Sequence, residues 1–493
     1  MSDTARLHQP EPDAADQHVA NAGYQPQFKR TLGKFESFAV AFSFISITTG
    51  LFSTYGVVLG SSGPAGIWTW PIATVGTVLV ALVYGMLASR IPLSGYSYQW
   101  ASRLANPVLG WWFGWVSFAF LAIVTVAVDY GFSQVALFPL LGWEYTPLAG
   151  ALTTAVVMAI QAALIIWSTP ILTKINNLAV GAEMIAMIGL TALIAGVIIF
   201  GGKGDWSNLV STGVVPTEGY FGWLGPFMLS ALLGAYTLVG WESAANLTEE
   251  THNPKQVVPR SMVRAILISG IVGMLFLMVI SAGIGDQIDA ITASSSPVAA
   301  IIENTVGPVL ATIMLVVVCI AIFACGLVIM TSNSRLIHAM ARDGRIPFAE
   351  TFAKVPRPTG GPVWATVLAG GSSIAIVMFF IATPDALAAL LGAGTLMPAI
   401  LYAATVVLFI ATRRSYTMQE DDFKLGIWET PVVIGASIWL LVELSIFIIP
   451  PDFRVAQYYA LGSLVLGAIV FAVVWKTRRA QLTKEPGLDA EHL

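Results

Sequence analysis

The stretch Tyr236-Thr-Leu-Val-Gly-Trp-Glu-Ser-Ala-Ala-Asn-Leu-Thr-Glu-Glu-Thr-His-Asn-Pro-Lys-Gln-Val-Val-Pro-Arg260 starts inside an apolar span, yet it holds a glycine, an acid and several small polar residues. A second stretch, Ser46-Ile-Thr-Thr-Gly-Leu-Phe-Ser53, interrupts the first apolar span in the same way. Backbone that leaves a helix inside a bilayer loses its internal hydrogen bonds, so such breaks persist only where they line a cavity or a substrate site. A break in the first span and another in the sixth predict a transporter built from two five-span halves.

Composition places the rest of the chain in the membrane. Apolar residues make up 56% and charged residues 11%, against about 25% charged in soluble domains, so this surface is not made for water. Windows of about 20 apolar residues predict spans near 38–60, 66–89, 110–138, 148–168, 176–200, 222–247, 261–284, 308–333, 363–381, 386–411, 431–450 and 456–476. The fold class is therefore all-α and integral to the membrane, with twelve helices. Residues 1–35 read as a disordered tail, 36–412 as a ten-helix core, 413–476 as two further helices and 477–493 as a second tail. With the N-terminus inside, 22 of the 24 Lys and Arg residues fall on the cytoplasmic side, and only Lys203 and Arg454 lie outside. The positive-inside rule then puts both tails in the cytoplasm.

Nothing in the chain reads as a nucleotide loop, a metal cluster or a nucleophile–base set, so no enzyme activity, cofactor, metal or nucleic-acid partner is expected. Cys319 and Cys325 fall in one predicted span and do not form a disulfide framework.

The breaks carry the chemistry. A half-helix starting at mid-bilayer presents free N–H groups and a positive dipole end to an anion such as a carboxylate. The candidate amides are those of Gly50, Leu51 and Phe52, with Thr48, Thr49 and Ser53 adding hydroxyls. Freed carbonyls near Ser46 and Ile47 suit an ammonium group or a cation. Tyr236, Gly240, Trp241 and Glu242 form the opposing wall. The competing reading for Gly50 is a small-residue packing face. Four acids, Asp129, Glu183, Glu242 and Glu443, lie within spans that hold no internal Lys or Arg. A charge at the bilayer centre costs at least about 2.5–3.5 kcal/mol, so such acids face a cavity, titrate or bind a cation. Glu183 is the first candidate for ion coupling and Asp129 the second. Glu443, in the span furthest from the breaks, reads better as a structural acid. Trp68, Trp70, Trp111, Trp112, Trp143 and Trp223 read as interfacial anchors, whereas Trp241 adjoins the break and would cover a substrate.

Two further motifs join the sixth-span segment quoted above: Pro92-Leu-Ser-Gly-Tyr-Ser-Tyr-Gln-Trp100 with Gly110-Trp-Trp-Phe-Gly-Trp115, and Ser334-Arg-Leu-Ile-His-Ala-Met-Ala-Arg-Asp-Gly-Arg-Ile-Pro347. Together they resemble the amino acid–polyamine–organocation superfamily of secondary carriers over roughly residues 30–478, closest to its amino acid–choline branch. The resemblance implies a five-plus-five inverted repeat, alternating access and a substrate held between the first and sixth helices. It also implies that Glu183 stands where many relatives carry a lysine, and that Glu242 and Asn246 replace the Asp and His common in the branch. The expected function is uptake of an amino acid or small amine (γ-aminobutyrate, choline or ethanolamine-like), driven by protons. Substrate/product exchange and sodium symport on the same fold are the alternatives. Ile47, Thr48, Thr49, Gly50, Leu51, Phe52, Tyr236, Gly240, Trp241 and Glu242 are the expected substrate contacts. Arg335, Arg342, Asp343 and Arg345 are expected to pair with Glu249 and Glu250, or to cap helix ends, as an inner gate.

Overall fold

The computed structural model describes residues 14–167, 169–294, 296–356, 360–381, 386–415 and 419–487. Hydrocarbon leaves each backbone donor and acceptor to be paired within its own segment, and helices are what these apolar runs become. Among the described residues the only bridge is an isolated parallel one between Leu32 and Thr251. Among the described residues, eleven helical spans are long and apolar enough to cross a membrane, and Pro226–Thr237 is a shorter apolar one.

We number the helices as follows. A short α1 (Ala14–Asn21) precedes α2 (Lys34–Ile45), α3 (Ile47–Ser62), α4 (Thr69–Arg90) and α5 (Tyr96–Leu104). Then come α6 (Pro107–Gly131), α7 (Pro147–Trp167), α8 (Thr169–Gly201), α9 (Leu232–Thr237) and α10 (Ser243–Asn246). The second half holds α11 (Pro254–Ala282), α12 (Pro297–Val306), α13 (Pro308–Arg342), α14 (Val363–Phe380), α15 (Ala386–Thr412), α16 (Glu429–Ile448) and α17 (Arg454–Thr483).

The two halves of the first span are separated by a single residue. Ser46 adopts φ 35° and ψ 93°, outside the helical region, and α3 restarts immediately after it. The sixth span is more fully opened. Helix α9 stops at Thr237, Gly240 takes φ +89°, and only the short α10 and a 3-10 turn, Thr248–Glu250, follow before Pro254 begins α11. A Cβ at Gly240 would overlap the Phe44 ring, so the two breaks meet there and only glycine fits both the angle and the space. Helix α11 packs on α2 and α4, α13 on α6 and α8, and α15 on α6, which buries both breaks at the centre of the bundle. Helix α17 lies on the periphery, with most of its surface exposed.

Two expectations need correction. Residues 14–33, read as part of a disordered tail, instead form α1 and a strap that buries Val19, Tyr24 and Leu32. Residues 1–13 and 488–493 of the two tails lie outside the described residues, and α17 carries helix into the second tail as far as Thr483. Trp70 and Trp111 are fully buried rather than interfacial, and their ring N–H groups donate to Gly270 O (2.8 Å) and Arg345 O (2.9 Å). Trp68, Trp143 and Trp223 are exposed as expected of anchors.

Candidate functional site

At the first break the end of the half-helix is already occupied. Glu183, on α8, reaches across to α3, where its Oε1 accepts hydrogen bonds from Thr48 N (3.0 Å), Thr48 Oγ1 (2.7 Å) and Ser46 Oγ (3.0 Å). Ser46 Oγ also accepts from Thr49 N (3.3 Å), so Ser46 caps α3 while presenting its hydroxyl to the acid. Three donors converge on one carboxylate oxygen at the positive end of a 16-residue helix. A hydrogen bond to a charged group contributes about 1.5–3 kcal/mol, and the helix end up to about 2 kcal/mol when buried. The freed carbonyl of Phe44, at the end of α2, accepts from Cys325 Sγ (3.2 Å) on α13.

This geometry shifts the register expected for anion binding. Gly50 N donates to Ser46 O (3.0 Å) within the helix, so Gly50, Leu51 and Phe52 lie past the open turn, and the accessible amides are those before them. Ser46 and Ile47 likewise do not supply the free carbonyls, since Ser46 O is the acceptor for Gly50. A Cβ on Gly50 would overlap the Thr237 side chain, which makes this glycine a packing contact between α3 and α9.

The second break carries an acid inside an aromatic box. Trp241 lies against Tyr402 at 5.3 Å, tilted by 31°, and meets Tyr84 edge-on at 5.0 Å, and Tyr84 also contacts Trp100 and Tyr402. Glu242 Oε2 accepts from Tyr402 Oη (2.8 Å), and Tyr402 Oη in turn accepts from Gly240 N (3.3 Å). Beside this box several buried polar atoms have no hydrogen-bond partner among the described residues: Glu242 Oε1, Trp241 Nε1 and Tyr96 Oη. An unmet buried group costs about 1–3 kcal/mol, and such groups gathered at one place are what a polar ligand would satisfy. A carboxylate beside π faces is suited to an ammonium group.

Asp129 forms a third group. Gln161 Nε2 donates to its Oδ1 (2.8 Å), while Asp129 Oδ2 is buried without a partner among the described residues. Gly326 on α13 leaves room for this pair, since a Cβ there would abut both side chains. Helix α6 passes into a π-helical turn, Phe132–Leu137, just beyond Asp129. Glu443 is buried on α16, away from both breaks.

At the end of the bundle that carries the N-terminus, two acids following α10 meet two arginines of α13. Arg342 forks onto Glu249 with both contacts at 2.9 Å, and Arg335 Nε lies 2.8 Å from Glu250. All four side chains are buried. Burial alone would raise the Glu249 carboxyl, but the Arg342 charge and its hydrogen bonds prevail and hold it below the ordinary glutamate value. The strap closes over this pair: the Tyr24 ring lies 3.7 Å from the Arg342 guanidinium, and Tyr24 Oη donates to Asp343 (2.7 Å). Arg345 does not join the acids. It donates instead to Ser102 Oγ (2.9 Å) and Lys484 O (2.8 Å).

The sequence-predicted residues thus divide among four clusters. Ile47, Thr48, Thr49 and Glu183 meet at the first break; Gly240, Trp241 and Glu242 at the second; Asp129 meets Gln161 beside Gly326; and Glu249, Glu250, Arg335 and Arg342 meet at the charged end, while Tyr236 lies beside Gly394 of α15. Tyr84 and Tyr402 were missed, because a tyrosine within an apolar span gives no signal that separates a site from a core. Asn246 was noticed only as a replacement, yet it bridges Ser332 O (2.6 Å) and Gly95 N (3.0 Å) and ties α10 to α13 and α5.

Comparison with known proteins supplies a last observation. The model of a family described as amino acid permease matches residues 32–473. The chain is 26% identical to the amino-acid permease BAT1 of Arabidopsis thaliana over 473 residues, covering 89% of each chain. It is likewise 26% identical to a BAT1 homolog of Oryza sativa subsp. japonica, covering 90% of this chain and 89% of that one. Amino-acid permease 2 of Neurospora crassa is 24% identical over 94% of this chain and 88% of its own.

Proposed function

Because the chain belongs to the amino acid permease family, we propose that it moves an amino acid or small amine across the plasma membrane by alternating access, driven by protons, with both termini in the cytoplasm. The names of its relatives support an amino acid as the substrate class. The single observation that carries the mechanism is Glu183 seated on the open end of α3. A substrate carboxylate would seek the same amide and hydroxyls. While Glu183 is ionised, it competes for them. A proton on Glu183 removes its charge and weakens its hold, which frees the Thr48 amide for the substrate. Proton and substrate then bind together, which is the requirement for symport.

The ammonium end of the substrate belongs at Glu242, whose Oε1 is unmet, with Trp241, Tyr84 and Tyr402 walling it in. Asp129 serves as a second titrating group beside α13. The Glu249–Arg342 and Glu250–Arg335 pairs form the inner gate, and α2 to α15 the repeated core. Binding tests this reading. Each member of a panel of amino acids, γ-aminobutyrate, choline and ethanolamine is added to the purified protein, and melting is followed at several pH values. The expected result is stabilisation by a carboxylate-bearing amine, growing as pH falls. Equal stabilisation by choline, which has no carboxylate, would rule out the competition at α3.

A further inference from the structure

Where α2 meets α11, at the end that also bears the strap, a cavity of about 180 Å³ opens between the two helices. Lys34, Arg260 and Arg264 converge on it, joined by the neutral side chains of Gln256 and Ser261, and no carboxylate lines it. None of the three cations forms an ion pair with a described residue, unlike Arg335, Arg342, Lys255, Arg413 and Arg478, which all do. The positive-inside tendency explains cations at this end in general. It does not explain three cations gathered round one hollow with no ion pair among the described residues.

The surface beneath the cavity supplies the second observation. Positions 260, 264, 267, 271 and 275 fall within one face of α11, since successive steps of three or four residues stay in register with its turns. Along this face the charge gives way to Leu267, Ile271 and Leu275, which are 43%, 62% and 53% exposed. Phe35, next to Lys34, is also exposed. A basic hollow at the head of an open apolar track has the layout of an anionic phospholipid: phosphate above, acyl chain below.

We propose that this cavity binds the phosphate headgroup of an anionic lipid from the cytoplasmic leaflet, which rests on the orientation proposed above. The bound lipid joins Lys34 at the start of α2 to Arg260 and Arg264 on α11. It therefore braces the half-helix that ends at Ser46 against its neighbour.

The test uses the full chain in phosphatidylcholine nanodiscs titrated with phosphatidylglycerol, read by retained lipid in native mass spectrometry and by melting temperature. Each cation near a membrane surface adds roughly a fivefold preference for anionic lipid, so the Lys34→Gln/Arg260→Gln/Arg264→Gln variant should lose about a hundredfold. The Lys476→Gln/Arg479→Gln variant, changed at the same end but away from the cavity, should retain phosphatidylglycerol like the parent. Arg264→Lys should keep most of the effect where Arg264→Gln loses it, which separates charge from misfolding. Equal loss in the control variant, or retention in the triple variant, would overturn the site. So would full stabilisation by inorganic phosphate alone, which would make the ligand a soluble anion. Neither arm depends on orientation, so failure here leaves the transport reading standing.

Discussion

The Glu249–Arg342 pair, proposed above as part of the inner gate, yields the sharpest structural prediction. Arg342 and Glu249 are both buried and meet in a two-point contact. Removing one member of a buried pair costs about 3–5 kcal/mol, because the other is left uncompensated. In Glu249→Gln the remaining guanidinium keeps its contact with the Tyr24 ring, worth up to about 2 kcal/mol when desolvated. A net loss of about 1–3 kcal/mol should therefore fall on the closed form, shifting the open fraction about 5- to 150-fold. Cys325 provides the readout, since it lies fully buried at the first break and becomes reachable only when the pathway below it opens. In a Cys319→Ser background it is the sole cysteine. Its rate of labelling by a thiol reagent should rise about 5-fold or more in Glu249→Gln and in Arg342→Gln. The double variant should rise less than the product of the two. An unchanged rate in both single variants, at an unchanged melting temperature, would refute the assignment of this pair as the gate.

Other outcomes follow from the same geometry. Tyr402→Phe removes the hydroxyl bound to Glu242, a charge-assisted contact of about 1.5–3 kcal/mol, so substrate affinity should fall at least tenfold while expression holds, as isothermal calorimetry would show. Gly240→Ala forces a side chain into the Phe44 ring at φ +89° and should cost several kcal/mol, seen as lost expression or a melting drop of several degrees. The Glu249 carboxyl is held below its ordinary value of 4.5, so its contribution to stability is present in full above that value and is lost as pH falls through the lower folded one. Labelling of Cys325 should accordingly show no pH dependence from this pair between pH 6 and pH 8, and any dependence there must be unchanged in Glu249→Gln.

Much of the fold was legible because bilayer physics leaves few options. Apolar run length located the spans, and polar residues within two of them located the breaks. The register at the first break was not legible. The cluster Ser46 to Ser53 contains several residues able to leave a helix, and the one that does so, Ser46, is selected by the α8 acid that it helps to hold. That partnership joins residues 137 apart in sequence, and no local pattern encodes it. Glu183 was found because an acid within a span is costly enough to stand out. Tyr84 and Tyr402 were not found, since burial of a tyrosine costs little. The same limit explains Trp70 and Trp111, whose buried indoles find backbone acceptors supplied only by the tertiary fold. The strap escaped because its polar composition resembles a disordered segment, whereas its order comes from Tyr24 and Arg30 finding partners at the charged end.

The central claim is that Glu183 couples a proton to the substrate by competing for the end of α3. The most direct test is uptake of a labelled amino acid into proteoliposomes under an inward proton gradient, with an inward sodium gradient run separately, for the parent and for Glu183→Gln. The account predicts that the parent accumulates substrate above equilibrium with protons alone, while Glu183→Gln binds and equilibrates it without accumulation. Proton-driven accumulation that persists in Glu183→Gln would contradict it, as would accumulation that only sodium supports.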